Sequence, residues 1–329
     1  KILKRLFCKN SVSKSKGIFL GRRSICLFQK VGFVIIMNKR MSPGIWNPAS
    51  ISKAMMDQKI KNCTTNFLAW HHIARLVLER GIPLKELKIA EVGSGTGTLS
   101  LAFALLDADV CLIDYNEKVL KSSADIYQMY GCNVKTVVAD CMELPDSDLR
   151  ERFDVVISCG LAEHFVGTDR ERCIAYHKYL LKNNGFVCIG VPNKLSPFYQ
   201  WIKSFRKMTG TWDLEIEIPY SPRELIFLAS KVGLKKLYVI GNMPLKRDFI
   251  VYSLGFLSAV KDLMPTGFQK RLKVWKTVKK VGSSADLIDI NRHCNSIIAL
   301  VDKDLIKKPS SWLTNNFSAG IYLFAFNVK

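Results

Sequence analysis

The run Ile89-Ala90-Glu91-Val92-Gly93-Ser94-Gly95-Thr96-Gly97 places three glycines at every second position, directly after a short apolar segment. Glycine permits positive φ and lets a ligand approach main-chain N–H groups where a helix begins. Gly93, Ser94, Gly95, Thr96 and Gly97 are therefore candidate ligand contacts. The spacing departs from the dinucleotide fingerprint GxGxxG. Its third glycine arrives one residue early, and Thr98 stands where that fingerprint has glycine. Glu91, just before the loop, is poorly placed for a pyrophosphate. It suits a ligand that carries an ammonium and a sulfonium.

Two further acidic positions follow at a telling rhythm. Asp114 ends the next apolar segment about 20 residues after the first glycine, where a carboxylate can accept two ribose hydroxyls. Tyr115 follows it and is a candidate contact for the same nucleoside. Asp140-Cys141 ends the segment after that. A carboxylate there can accept an adenine amino group while the next N–H meets a ring nitrogen. One acid at a strand end is commonplace, whereas three at successive strand ends are a pattern.

The elements that position these groups follow from periodicity and punctuation. Asn66–Arg80 reads as an amphipathic helix closed by Gly81-Ile82-Pro83. Strands are expected at Lys88–Val92, Asp109–Asp114, Asn133–Val138, Phe153–Ser158 and Phe186–Val191. Helices are expected at Thr98–Leu106, Glu117–Tyr130 and Arg170–Leu181. Strand–helix alternation implies parallel strands with right-handed crossovers, an α/β doubly wound sheet. Ser221-Pro222-Arg223-Glu224 is a helix start with a capping box, and Lys236–Ile240 is a sixth strand. Ser296–Val301 reads as a last apolar strand, and Ile321–Val328 as an extra one.

On these residues the chain resembles the class I S-adenosylmethionine (SAM)-dependent methyltransferase family. The matches are Glu91 to Gly97, Asp114, Asp140-Cys141, and Phe153-Asp154-Val155-Val156-Ile157-Ser158 leading to Glu163-His164. The resemblance implies SAM as cofactor and a seven-stranded, mostly parallel sheet of order 3-2-1-4-5-7-6, with helical insertions forming a lid. It assigns Glu91 and the glycines to the methionine end of SAM, Asp114 to the ribose and Asp140 with Cys141 to the adenine. Ser158 and Gly160 would line the methyl-transfer face. Glu163 and His164 are the candidates for acid–base or orienting work there.

The acceptor is less constrained. The loop after the fourth strand lacks the (N/D)PP(Y/F) pattern of amino-methylation, and Val191-Pro192-Asn193 has no Pro-Cys pair. No metal site is expected. These features favour a small-molecule acceptor methylated at oxygen, nitrogen or carbon. Gly160-x-x-Glu163-His164 also resembles fatty-acid cyclopropane synthases, although Thr96-Gly97-Thr98 departs from their Trp-Gly-Gly. An RNA-modifying enzyme, a lipid-directed one and a non-catalytic scaffold stay open as alternatives.

Charge is unevenly placed. Residues 1–61 hold 14 Lys/Arg against one acid, and residues 235–329 hold 16 against six, within a formal net charge of +21. Residues 62–234 are nearly neutral. Basic flanks admit contact with nucleic acid or with an anionic membrane surface, the latter through residues 246–280. No integral membrane segment stands out. The ten scattered cysteines lack CxxC spacing, which fits free thiols and a cytoplasmic setting. Residues 1–61 are read as a basic extension, with a natural start expected at Met37 or Met41. Residues 62–303 are read as the SAM-binding domain with insertions 194–219 and 243–293, and residues 304–329 as a tail.

Overall fold

The computed structural model describes residues 51–143, 147–210, 212, 217–242, 245–263, 289–303 and 311–328. The expectations about Met37, Met41 and the basic residues Lys270 to Lys280 lie outside these. A seven-stranded sheet runs in the order β3-β2-β1-β4-β5-β7-β6. Its strands are β1 (Lys88–Val92), β2 (Asp109–Asp114), β3 (Lys135–Val138), β4 (Phe153–Cys159), β5 (Leu181–Pro192), β6 (Lys235–Gly241) and β7 (Gly320–Phe326). The first five pair in parallel, and β7 pairs antiparallel with both β5 and β6. The expected order is present, and the sheet is mostly parallel as expected, with β7 the antiparallel strand.

Apolar layers cover both faces of the sheet, which is why an inner strand such as β7 reads as an unbroken apolar run and not as alternation. One layer joins the sheet to α1 (Lys53–Asn66), α2 (Leu68–Glu79), α3 (Thr98–Ala104) and α4 (Glu117–Met129). In it Trp70 stacks on Phe103 with ring centroids 5.0 Å apart. The other layer joins the sheet to α5 (Thr168–Leu180) and α7 (Pro222–Lys231), through Ile174, Leu225 and Ala229. Between these two helices in sequence lies α6 (Pro197–Met208). α6 packs on α8 (Leu245–Leu263), where Phe256 meets Trp201 at 4.4 Å and Phe205 at 4.6 Å.

Caps appear where the sequence places them. The Ser221 hydroxyl accepts from Glu224 N at 3.2 Å, with Pro222 in the first turn of α7. Asn116 Oδ1 accepts from Lys118 N and Val119 N at the start of α4.

Three expectations are corrected. Ser296–Val301 is not a strand but part of α9 (Ile290–Asp302), capped by Asp289 accepting from Arg292 N at 3.1 Å. Its buried residues Ile290, Cys294, Ile297 and Val301 recur at helical spacing. The seventh strand is not at Ser296–Val301 but at Gly320–Phe326, where an extra strand was expected within the tail, and every residue in it is buried. The sheet domain also begins earlier than residue 62, because α1 starts at Lys53 and buries Met56 and Ile60. Two short helices, α10 (Trp312–Phe317) and a turn at Ala162–His164, complete the parts used below.

Candidate functional site

β1 ends at Val92 and the chain turns through Gly93, Gly95 and Gly97, with φ of +62°, +52° and +60°. These are left-handed values that side chains resist, so the spacing of the glycines is a backbone requirement. A Cβ on Gly97 would stand 3.0 Å from Leu112 and 3.1 Å from Tyr127, because α3 and α4 close tightly under the loop. Tyr127 OH donates to Gly97 O at 3.0 Å, and Ser123 Oγ donates to Gly95 O.

Asp114 sits at the tip of β2, directly across from this loop. Its Oδ2 accepts from Gly95 N at 3.4 Å and its Oδ1 from Asn116 N at 3.0 Å. Burial pushes its carboxyl pKa up, and these backbone N–H groups pull against that. Tyr115 beside it is 44% exposed, which leaves ring surface for a ligand. Ala139 N donates to Asp114 O at 3.1 Å and draws the end of β3 alongside. There Asp140 is exposed, with Oδ1 accepting from Met142 N at 2.9 Å, and Cys141 is buried.

Glu91 bonds within the fold through one of its carboxylate oxygens. Its Oε2 accepts from Ser100 N at 3.1 Å and from Ser100 Oγ, so this oxygen ties β1 to the first turn of α3. Burial pushes the carboxyl up to about 7 despite those bonds. Thr96 Oγ1 and Thr98 Oγ1 lie 2.8 Å apart at the same turn.

β4 supplies the opposite wall. Ser158 is fully buried, and its hydroxyl has no hydrogen-bond partner among the described residues; Ser94 Oγ shares that condition. Gly160 has φ +80° and donates its N–H to Gly190 O at 3.1 Å. Leu161 then lies against Gly93, where a Cβ would stand 2.9 Å from its Cδ1. The turn Ala162–His164 is thus set beside the glycine loop. Glu163 in that turn is fully buried, and burial followed by the nearby Glu217 charge holds its carboxyl well above the usual range. His164 is half-buried.

The structure therefore brings Gly93–Gly97, Asp114, Tyr115 and Asp140-Cys141 to one end of the sheet. Ser158, Gly160, Glu163 and His164 gather at the adjoining strand tip. Orphaned hydroxyls at Ser94 and Ser158, an exposed ring face at Tyr115 and a buried carboxylate at Asp114 fit a nucleoside with a polar tail. His71 and His72 serve packing: His71 Nε2 lies 2.5 Å from Thr64 O and His72 Nε2 lies 2.7 Å from Tyr238 OH. Sequence reasoning missed Tyr199, Lys203 and Glu217, which meet beside Glu163. Their one sequence signal is the Tyr199/Lys203 spacing of four on α6.

Residues 89–185 match the family model described as a methyltransferase domain. The chain is 30% identical over 164 residues to the ubiquinone biosynthesis O-methyltransferase of Pelagibacter ubique (strain HTCC1062). That match covers 47% of this chain and 65% of the relative. Among solved structures, it is similar to the magnesium protoporphyrin IX methyltransferase of Synechocystis PCC 6803 with bound SAH. The TM-score is 0.42 and the identity 16%, covering 58% of this chain and 81% of that one. It is also similar to a SAM-dependent methyltransferase of Archaeoglobus fulgidus, with TM-score 0.41, identity 14%, and coverage of 78% and 94%. Residues 89–185 thus match a methyltransferase domain, within a sheet of the strand order that the sequence resemblance implies.

Proposed function

We propose that the protein transfers the methyl group of SAM to a small-molecule acceptor. The observation that carries this reading is the contact between the second loop glycine and the acid at the tip of β2, Gly95 N to Asp114 Oδ2. It leaves a carboxylate beside a left-handed loop, which is how a ribose and an amino-acid tail can be gripped together.

In this reading the loop Gly93–Gly97 takes the amino-acid end, with Ser94 and Thr96 supplying hydroxyls. Asp114 accepts the ribose hydroxyls, and Tyr115 covers the base. Asp140 and the Cys141 N–H meet the base edge. Glu91 acts indirectly by fixing α3 beneath the loop. Ser158 and Gly160 line the face toward the acceptor, with Glu163 and His164 beyond them. When bound, SAM supplies an electrophilic methyl on a sulfonium. The chain's own work is to hold the acceptor atom in line at near-contact distance and to exclude water. A proton acceptor is needed only where the acceptor carries a proton to lose.

Calorimetry with S-adenosylhomocysteine (SAH), followed by a metabolite screen with methyl-labelled SAM, tests this. One-to-one SAH binding and a labelled small molecule are expected. A protein that binds no SAH at millimolar concentration, or that labels only RNA, would refute it.

A further inference from the structure

A group of charges beside the turn after β4 is not used by the cofactor end of the site. Glu163 is fully buried, and neither carboxylate oxygen has a hydrogen-bond partner among the described residues. Glu217 is 6% exposed; its Oε1 accepts from Tyr199 OH, and its Oε2 has no partner among the described residues. The two acids are joined through the backbone, Ile218 N donating to Glu163 O at 2.9 Å.

The cations nearby are mostly committed. Lys203 Nζ donates to Tyr199 OH at 2.9 Å and to Glu217 O at 2.7 Å, and lies 3.8 Å from Glu217 Oε1. Arg170 pairs with Glu224 at 2.5 Å and donates to Ile218 O at 3.1 Å. Lys207 is on the exposed side of α6. Tyr199, Tyr220, Cys159 and Cys173 also face Glu163, and none of these described residues brings a positive charge to balance it. Two buried carboxylates thus share one ammonium. Among the described residues, one negative charge and three carboxylate oxygens are left over in a desolvated place. Such a group takes up a proton or a cationic donor.

We propose that Glu163 and Glu217 form the acceptor subsite and that it takes a cationic amine. The proposal rests on the methyltransferase reading above. A primary ammonium brings one positive charge and three N–H donors, which match the charge and the three open oxygens. A neutral hydroxyl brings one donor and no charge, leaving two oxygens open. The ammonium passes one proton to a Glu163 oxygen, giving a neutral amine with a free lone pair and a carboxylic acid, with total charge unchanged. Glu217, held by Tyr199 and Lys203, orients the nitrogen. Because Leu161 packs on Gly93, this happens next to the glycine loop.

The test uses the full chain, with and without saturating SAH. Matched probes are titrated by calorimetry: propylamine against propanol, benzylamine against benzyl alcohol, 2-phenylethylamine against 2-phenylethanol. At least one amine is expected to bind tenfold or more tighter than its alcohol. Glu163→Gln and Glu217→Gln should each lose tenfold or more of that affinity while SAH affinity stays within twofold. Infrared spectra of the amine complex should show a protonated carboxyl band that Glu163→Gln removes. Alcohols binding as well as amines, no amine binding at all, or unchanged amine affinity in Glu163→Gln would overturn the proposal. Failure of SAH to bind would instead overturn the methyltransferase reading, and the titration without SAH would still decide the subsite.

Discussion

Gly95 N and Asp114 Oδ2 lie 3.4 Å apart, so the middle of the glycine loop and the tip of the second strand are locked together by the protein itself. The same carboxylate accepts from Asn116 N at the start of α4. Asp114→Ala is expected to weaken SAH binding tenfold or more, through the lost ligand contact and a loosened loop. Asp114→Asn keeps an acceptor oxygen and should lose less. Calorimetry on both variants, with circular dichroism to show an intact fold, checks this.

Gly97 combines a left-handed backbone with close neighbours. It has φ +60°, and a Cβ there would press on Leu112 and Tyr127. Gly97→Ala should cost about 1–2 kcal/mol from left-handed strain, with crowding added. That corresponds to a melting temperature lower by roughly 2–4 °C per kcal/mol for a domain of this class. Gly131 has a similar φ of +70° but open space around it, so Gly131→Ala isolates the strain alone. A Gly97→Ala loss no larger than that of Gly131→Ala would show that the packing beneath the loop is slack.

The seventh strand is held by a close approach. A Cβ on Gly190 of β5 would collide with the ring of Tyr322 on β7, whose hydroxyl lies 3.2 Å from Cys159 Sγ. Gly190→Ala should destabilise by about 1–3 kcal/mol through overpacking. Combining it with Tyr322→Leu should cost less than the sum of the two changes. Denaturant unfolding of the four proteins measures this, and strict additivity would contradict the contact.

Glu91 predicts a pH dependence of stability. Its carboxyl has a folded pKa of about 7 against an ordinary 4.5, so the folded state holds its proton more tightly than the unfolded chain does. Between those two values the native state binds more protons, and stability falls as pH rises from about 4.5 to about 7. The effect is on the order of 3 kcal/mol across the window. Glu91→Gln should flatten that slope and leave the variant relatively more stable at pH 8. Parallel unfolding curves for the two proteins from pH 4 to 8 would contradict it.

How far the sequence carried depends on how local each signal is. β1 and β2 were legible to the residue, because buried runs ended by Glu91-Val92-Gly93 and by Asp114 admit little else. Ser221 and Pro222 marked α7 for the same reason. Ser296–Val301 was not legible as helix, since a six-residue apolar run fits either period. Its helical spacing shows only when Ile290 and Cys294 are included. The glycine loop was readable because its three glycines, each with a left-handed φ, lie within five residues. The Tyr199–Lys203–Glu217 group was not, because it forms only when α6 folds back on residues 217–220 and on the turn after β4. Glu91 was seen as acidic and near the loop, but the partner that claims it, Ser100, lies a helical turn inside α3.

The account rests on a nucleoside with a sulfur-bearing tail lying across Gly95 and Asp114. Competitive calorimetry with SAH and NAD on the wild-type chain and on Gly95→Arg tests it most directly. Saturable one-to-one SAH binding is predicted, abolished by Gly95→Arg and unaffected by NAD. Binding of NAD to the wild type with no heat from SAH would contradict it.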